Sequence, residues 1–223
     1  MDMDKERQYC VEETLKHRDK VKEFLEKFST ELNSRGLSHD ASKLSDIEID
    51  GFIQYTPKLR ECTYGSDEYM EYLEKLKPSL EHHYRKNSHH AEHFPEALED
   101  YCTSCGHGFN DLAKEYMKVY HKCPNCGIVG TEVKQRYTLK GMNLADVVEM
   151  LCDWKAASLR HNNGDLEKSI EINRKRFGIS DDLFCILKNT VRDLIDRTVL
   201  EPTIEKKEAT TENKESTEEQ KNI

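Results

Sequence analysis

His39 and Asp40 are adjacent, so an imidazole nitrogen and a carboxylate oxygen leave the chain at successive positions. Both are good ligands for divalent first-row metals. A lone His-Asp pair is common by chance, but this one belongs to a series: His17, His39-Asp40, His82-His83, His89-His90, His93 and Asp153. Seven of the ten histidines fall within it, a concentration that unrelated core or surface histidines do not produce. Taken singly, each has a plainer reading. His17 would be a core histidine on an apolar stripe, His82-His83 a solvated helix end, and His89, His90 and His93 a polar loop. Asp153 is harder to dismiss. It stands in Val147-Val148-Glu149-Met150-Leu151-Cys152-Asp153-Trp154, where a carboxylate is costly unless paired or bound to metal. Asp146, on nearly the same face, sits three residues after the expected cap Asn143, where negative charge suits the helix dipole. Asp153 is therefore the preferred late ligand, with Asp146 as the alternative.

A second constellation is made of sulfur. Cys102-Thr103-Ser104-Cys105 and Cys123-Pro124-Asn125-Cys126 are each followed by glycine, Gly106 and Gly127. Two such turns present four thiolates to one tetrahedral zinc ion, a closed site that is structural and not catalytic. The segment resembles a zinc ribbon or knuckle, and zinc would supply most of its folding free energy. A reversible disulfide is the competing reading. Lys114, Lys118, His121, Lys122, Lys134, Arg136 and Lys140, with Tyr116, Tyr120 and Tyr137, make this stretch modestly basic in an acidic chain. That would suit nucleic acid; the plainer and favoured reading is an insert that braces the active site.

The elements that must carry these groups read as helices. Leu15, Val21, Phe24, Leu25, Phe28 and Leu32 recur at three- and four-residue steps and predict a helix over residues 4–35, with His17 on its stripe and Gly36 ending it. Ser45 or Asp46 caps a short helix reaching Phe52. Residues 54–66, with Pro57 and Gly65, read as a loop. A helix follows over 66–77, and Pro78 begins another through Tyr84. The helical pattern returns from Asn143 through Ala157, again over 166–177 up to Gly178, and last from Ser180 or Asp181 to Leu200. The expected organisation is a helical metal-binding domain from residues 1–99 and 138–200, a four-cysteine zinc-ribbon-like insert at 100–137, and a disordered polar tail at 201–223.

The chain has 223 residues, 35% of them charged, and a net charge of −9. That balance argues against general binding to nucleic acid or anionic membranes. No apolar run approaches the ~20 residues that span a bilayer. The acidic N-terminus lacks the apolar stretch of a signal peptide, so a reducing cytoplasm is expected.

The order His17, His39-Asp40, Asp153 resembles the HD superfamily of metal-dependent phosphohydrolases. Leu37-Ser38-His39-Asp40-Ala41-Ser42-Lys43 is similar to that family's Leu-x-His-Asp-x-x-Lys segment. His83, His89 and His90 stand where two-metal members add ligands. The wording around Tyr55-Thr56-Pro57-Lys58-Leu59-Arg60, Glu81-His82-His83-Tyr84 and His89-His90-Ala91-Glu92-His93 also resembles an uncharacterised family of bacteria and their phages. The resemblance implies a mainly α, HD-like bundle. In it His17, His39, Asp40 and Asp153 hold a first divalent ion (Mn, Fe, Co, Ni, Zn or Mg), and His83 with His89 or His90 holds a second. Asp40, Lys43 and Glu81 would serve catalysis, and Lys58, Arg60, Tyr64 and Lys155 a small phosphorylated substrate such as a nucleotide. Two rivals are carried forward: an iron-dependent oxygenase on the same scaffold, and a non-enzymatic zinc-ribbon adaptor for nucleic acid or protein.

Overall fold

A computed structural model describes residues 3–63, 66–159 and 165–196. The protein is mainly α. Helices α1 (Met3–Ser38), α2 (Ile49–Glu61) and α3 (Asp67–Lys86) come first. A small unit follows, made of β1 (Leu98–Cys102), β2 (Gly108–Phe109), α4 (Asp111–Tyr120) and β3 (Val133–Tyr137). Helices α5 (Leu144–Ser158), α6 (Leu166–Phe177) and α7 (Asp181–Thr190) complete the described chain, with one π-helical turn at Val191–Ile195. The expected tail at 201–223, and Tyr64, lie outside the described residues.

Helix α1 runs straight through Gly36, the residue expected to end it. Gly36 is exposed, and a Cβ there would touch nothing. The helix stops instead where Asp40 takes the left-handed conformation (φ 57°, ψ 14°). Aspartate is one of the few side chains that tolerate this region, because its short polar group can bond locally. The same turn brings His39 and Asp40 out together at the end of α1.

Two prolines read as breaks are inside helices. Pro57 lies within α2, where a loop was expected, and Pro78 within a continuous α3. Each removes the hydrogen bond to the carbonyl four residues back. Those carbonyls belong to Ile53 and Glu74, both on exposed faces where water replaces the lost donor. Helices α2 and α3 form an antiparallel pair, and a Cβ at Gly51 would collide with the Ser79 side chain, so glycine permits their close approach.

The α5 start is as expected. Asn143 Oδ1 accepts from the Ala145 and Asp146 amides (2.8 and 3.1 Å), and Asp146 Oδ2 accepts from the Asn143 amide (2.8 Å). This closes a capping box. Gly178 ends α6 in the left-handed conformation (φ 61°), and Ser180 caps α7. The main core sits among these helices, built on Met150, Leu151, Ile170, Phe177, Leu187 and Val191. A smaller core in the insert gathers Phe109 with Cys102 and Cys123, under a three-stranded antiparallel sheet of order β2-β1-β3.

Helix α1 stands apart. None of its 36 residues is buried. Only its last turns, with Phe28, Leu32 and Arg35 half-covered, lie against the body. Leu15, Val21, Phe24 and Leu25 are 42–63% exposed.

Candidate metal centres

Four segments converge on one point. The turn after α1 supplies His39 and Asp40, α3 supplies His83, the segment after α3 supplies His89 and His90, and α5 supplies Asp153. Two ligand groups form, Asp40-His83-His89-His90 and His39-His89-Asp153, with the donor atoms of each within 4.8 Å of one another. His83 Nε2 lies 3.1 Å and His89 Nε2 3.5 Å from Asp40 Oδ1. His39 Nε2 lies 3.5 Å from both Asp40 Oδ2 and Asp153 Oδ1. His83 Nε2 and His90 Nε2 face each other at 3.0 Å. Ligands about 2.1 Å from a common ion at ordinary coordination angles are about 3.0–3.4 Å apart, so the spacings fit a divalent ion. Asp40 joins the groups, turning one oxygen toward His83 and His89 and the other toward His39.

The remaining ring nitrogens show why these faces turn inward. His39 Nδ1 and His89 Nδ1 both reach one oxygen of Glu149, at 2.9 and 3.1 Å. His83 Nδ1 reaches Glu48 Oε2 (3.1 Å) and Ser42 Oγ (2.9 Å). A carboxylate at Nδ1 fixes the tautomer and leaves the Nε2 lone pair for a metal. Glu48 is fully buried, and its other oxygen takes His82 Nδ1 at 2.6 Å. His83 is thus the inward member of the doublet, at 1% exposure. Glu149 is held in turn by Arg35 (3.2 Å), which also grips Asp146 (2.6 Å).

Two atoms at the focus, Asp40 Oδ1 and His89 Nε2, are buried without a hydrogen-bond partner among the described residues. Such atoms are rare in native proteins and call for an unplaced water or ion. The charge pattern agrees. Burial pushes His90 down to about 2, helped by its neighbours His89 and His83, so its ring is neutral and able to ligate. Burial opposes ionisation of Asp40, but His83, His89 and Lys43 outweigh it and hold the carboxyl well below the usual range.

Several expected participants lie elsewhere. His17 is exposed on α1, 21 residues and about 31 Å from Ser38 along one helix. It cannot join His39, and His89 stands beside Asp153 in its stead. Glu81 is exposed on α3 and belongs to neither ligand group. Lys58 is exposed over the Tyr55 and Tyr72 rings. Lys155 pairs with Asp196 at 2.6 Å. Asp146 is buried but committed to the α5 cap, Arg35 and Ser88. Lys43, by contrast, is at the site, donating to Asp40 with its ammonium 5.2 Å from the Phe52 ring centre. The sequence reading assigned no role to Glu48 or Glu149. Glu149 did leave a signal, since Asp146, Glu149 and Asp153 make a carboxylate row on one face of an otherwise apolar helix.

In the insert, Cys102, Cys105, Cys123 and Cys126 bring their sulfurs within 4.8 Å of one another. Cys105–Cys123 is 3.8 Å and Cys102–Cys126 is 4.0 Å. A tetrahedral ion with sulfurs at about 2.3 Å requires about 3.8 Å between them. Gly106 and Gly127 both take φ 73°, the left-handed turn that an L side chain resists. Burial disfavours the Cys102 thiolate, but the Thr131 hydroxyl and the Cys105 and Ser104 amides outweigh it and bring the thiol down to about 6. The cluster is compatible with a zinc-ribbon-like site.

A cavity of about 690 Å³ opens beside the histidine–aspartate centre, lined by His89, His90 and Asp153 at one end. Arg60 borders it. Among the described residues, no helix is long and apolar enough to cross a membrane. No curated protein and no solved structure matches the chain. Residues 6–199, almost the whole described chain, match one protein family, and the chain belongs to it: a family of unknown function, DUF5662.

Proposed function

We propose that the protein is a metal-dependent phosphohydrolase of the HD type, acting on a nucleotide or other small phosphate ester. The observation that carries this reading is that Asp40 Oδ1 and His89 Nε2, buried at the focus of four imidazoles and two carboxylates, make no hydrogen bond among the described residues. A divalent ion bound there would acidify water and draw charge from a phosphoryl oxygen. The chain's own residues do the rest. His39, Asp40, His83, His89, His90 and Asp153 would hold the ion or ions. Glu149 and Glu48 orient the imidazoles. Lys43 sets a positive charge beside Asp40, facing the developing charge of a phosphoryl group. Phe52 and Met150 line the cavity, and their apolar side chains would limit the water that reaches the centre.

The test is elemental analysis of the wild type and a His39→Ala/Asp40→Ala double variant, followed by phosphate release from a panel of phosphate esters. The wild type should hold metal beyond the one ion of the cysteine site, and the variant should lose that excess together with phosphate release. Equal metal in both proteins would overturn the enzyme reading in favour of a zinc-ribbon adaptor.

One observation favours a second reading. His39, His89 and Asp153 form a two-histidine, one-carboxylate group, the set used by non-haem iron oxygenases. Oxygen uptake by iron-loaded protein, without phosphate release, would select it.

A further inference from the structure

The cavity has an unusual shape for a pocket that serves a small polar substrate. Tyr69, Leu73, Leu76, Leu80 and Tyr84 line it along α3. Their steps of three and four residues put them on one face, which extends over 15 residues, or about 22 Å. Opposite stand Met150, Trp154 and Ala157 of α5 and Ile172 and Phe177 of α6. Apolar stripes on facing helix pairs ordinarily close on one another. Here they leave a half-open space of about 690 Å³, within the range of small-molecule sites.

The trough has two distinguishable ends. Tyr84 packs against His83 and His90, so the inner end is the metal centre. Phe52 and Arg176 mark the same level, the first against His83 and the second paired with Glu92 at 2.7 Å. Arg60 and Lys168 lie eight residues, about 12 Å, further out on their helices. Both line the cavity, both are exposed, and neither side chain has an ion-pair partner among the described residues. Arg60 and Lys168 therefore place positive charge at the outer end, beside the Asp165 carboxylate, a candidate cation-binding centre stands at the inner end, and between them lies mainly leucine and aromatic carbon with Thr56, Ser158, Ser169 and Asn173.

We propose that the trough binds an elongated amphipathic anion, with its hydrolysable group at the histidine–aspartate centre, its apolar body along α3, and a second anionic group between Arg60 and Lys168. The inference rests on the hydrolase reading above and narrows its substrate class. Thr56, Ser158, Ser169 and Asn173 offer a few polar partners, but the α3 wall of Leu73, Leu76 and Leu80 offers none, and each ribose hydroxyl or base edge left unpaired against it costs affinity. An alkyl body incurs no such loss and gains from leaving water.

Trp154 is the single tryptophan of the chain and lines the trough, so its emission reports occupancy directly. The manganese-loaded full chain is titrated with decyl phosphate carrying a terminal carboxylate, with plain decyl phosphate, and with adenosine monophosphate. The carboxylated probe should bind tightest, by at least about tenfold over the nucleotide. Arg60→Ala/Lys168→Ala should weaken that probe about tenfold and leave plain decyl phosphate unchanged. Ala157→Phe should exclude both alkyl probes; where circular dichroism shows that variant misfolded, Leu73→Asn replaces it, with weaker alkyl binding expected. Tightest binding by the nucleotide, or no response to the trough variants, overturns the proposal. Alkyl binding that the trough variants abolish, without phosphate release from any probe, supports the trough and overturns the hydrolase reading instead.

Discussion

The two candidate metal-binding groups of this chain are built on opposite plans. The cysteine site takes its four ligands from residues 102–126 and its support from near neighbours, with paired left-handed glycines, amides turned toward sulfur and the Thr131 hydroxyl. The histidine–aspartate centre takes its ligands from residues 39–153 and its support from side chains, chiefly Glu48 and Glu149. One site is closed and local. The other opens on a cavity and exists only once α1, α3 and α5 have met. A short motif can therefore specify a structural site by itself, whereas an open centre needs a folded body to hold its ligands apart from water and from each other.

That contrast can be broken most directly at the cysteines. Cys123→Ser removes one of the four sulfurs, so metal bound by the cluster should be lost; for zinc such binding is worth about 10–16 kcal/mol of apparent folding free energy in comparable sites. Limited proteolysis should then cut within residues 98–137 while the metal of the other centre is retained. If both metals leave together, the two sites are not independent.

Glu149→Gln tests the opposite plan with a smaller effect. Metal affinity at the histidine–aspartate centre should fall about 10–100-fold, as when an outer partner of a ligating histidine is removed. Competition with a chelator would measure this, with any metal at the cysteine cluster unchanged. Unaltered affinity would mean that the Nδ1 contacts do not support the centre.

Asp146 sharpens the distinction between a ligand and a brace. Burial opposes its charge, but the Ser88 hydroxyl, the Asn143 amide and Arg35 prevail and hold its carboxyl below the ordinary range. A carboxyl lowered on folding contributes stability above its unfolded pKa, near 3.9, and that contribution is lost as pH falls through the folded value. Asp146→Asn should therefore cost about 1–3 kcal/mol at neutral pH and flatten the acid limb of the stability profile, with metal content intact. Loss of metal in this variant would make Asp146 part of the centre. The smallest effect belongs to His17→Ala, where metal content and melting temperature should stay at wild-type values.

Much of this plan can be read from local chemistry. The four cysteines, the Asn143–Asp146 cap, Gly178 and Ser180 each act within a few residues, and each is found as expected. The inward turn of His83, rather than His82, depends on Glu48, which is distant in sequence and looks like any first-turn acid. His17 misleads for a related reason. Its apolar positions do recur at helical steps, but periodicity does not say whether a partner covers them, and among the described residues only the end of the stripe, at Phe28 and Leu32, is half-covered. Pro57 and Pro78 mislead because the packing of α2 against α3 can offset a proline's lost hydrogen bond and ring clash, which local sequence does not reveal.

The uncovered length of α1 has a kinetic consequence. Helical hydrogen bonds that no tertiary contact protects open at close to the cost of fraying. Amide protons from the start of α1 to about Phe24 should exchange with solvent deuterium within the earliest time points. Those near Leu32 and Arg35, clamped to Asp146 and Glu149, should exchange as slowly as the α5 core. One continuous helix would then carry two clocks, and the step between them would mark where the helix stops being self-supporting and becomes part of the metal centre's foundation.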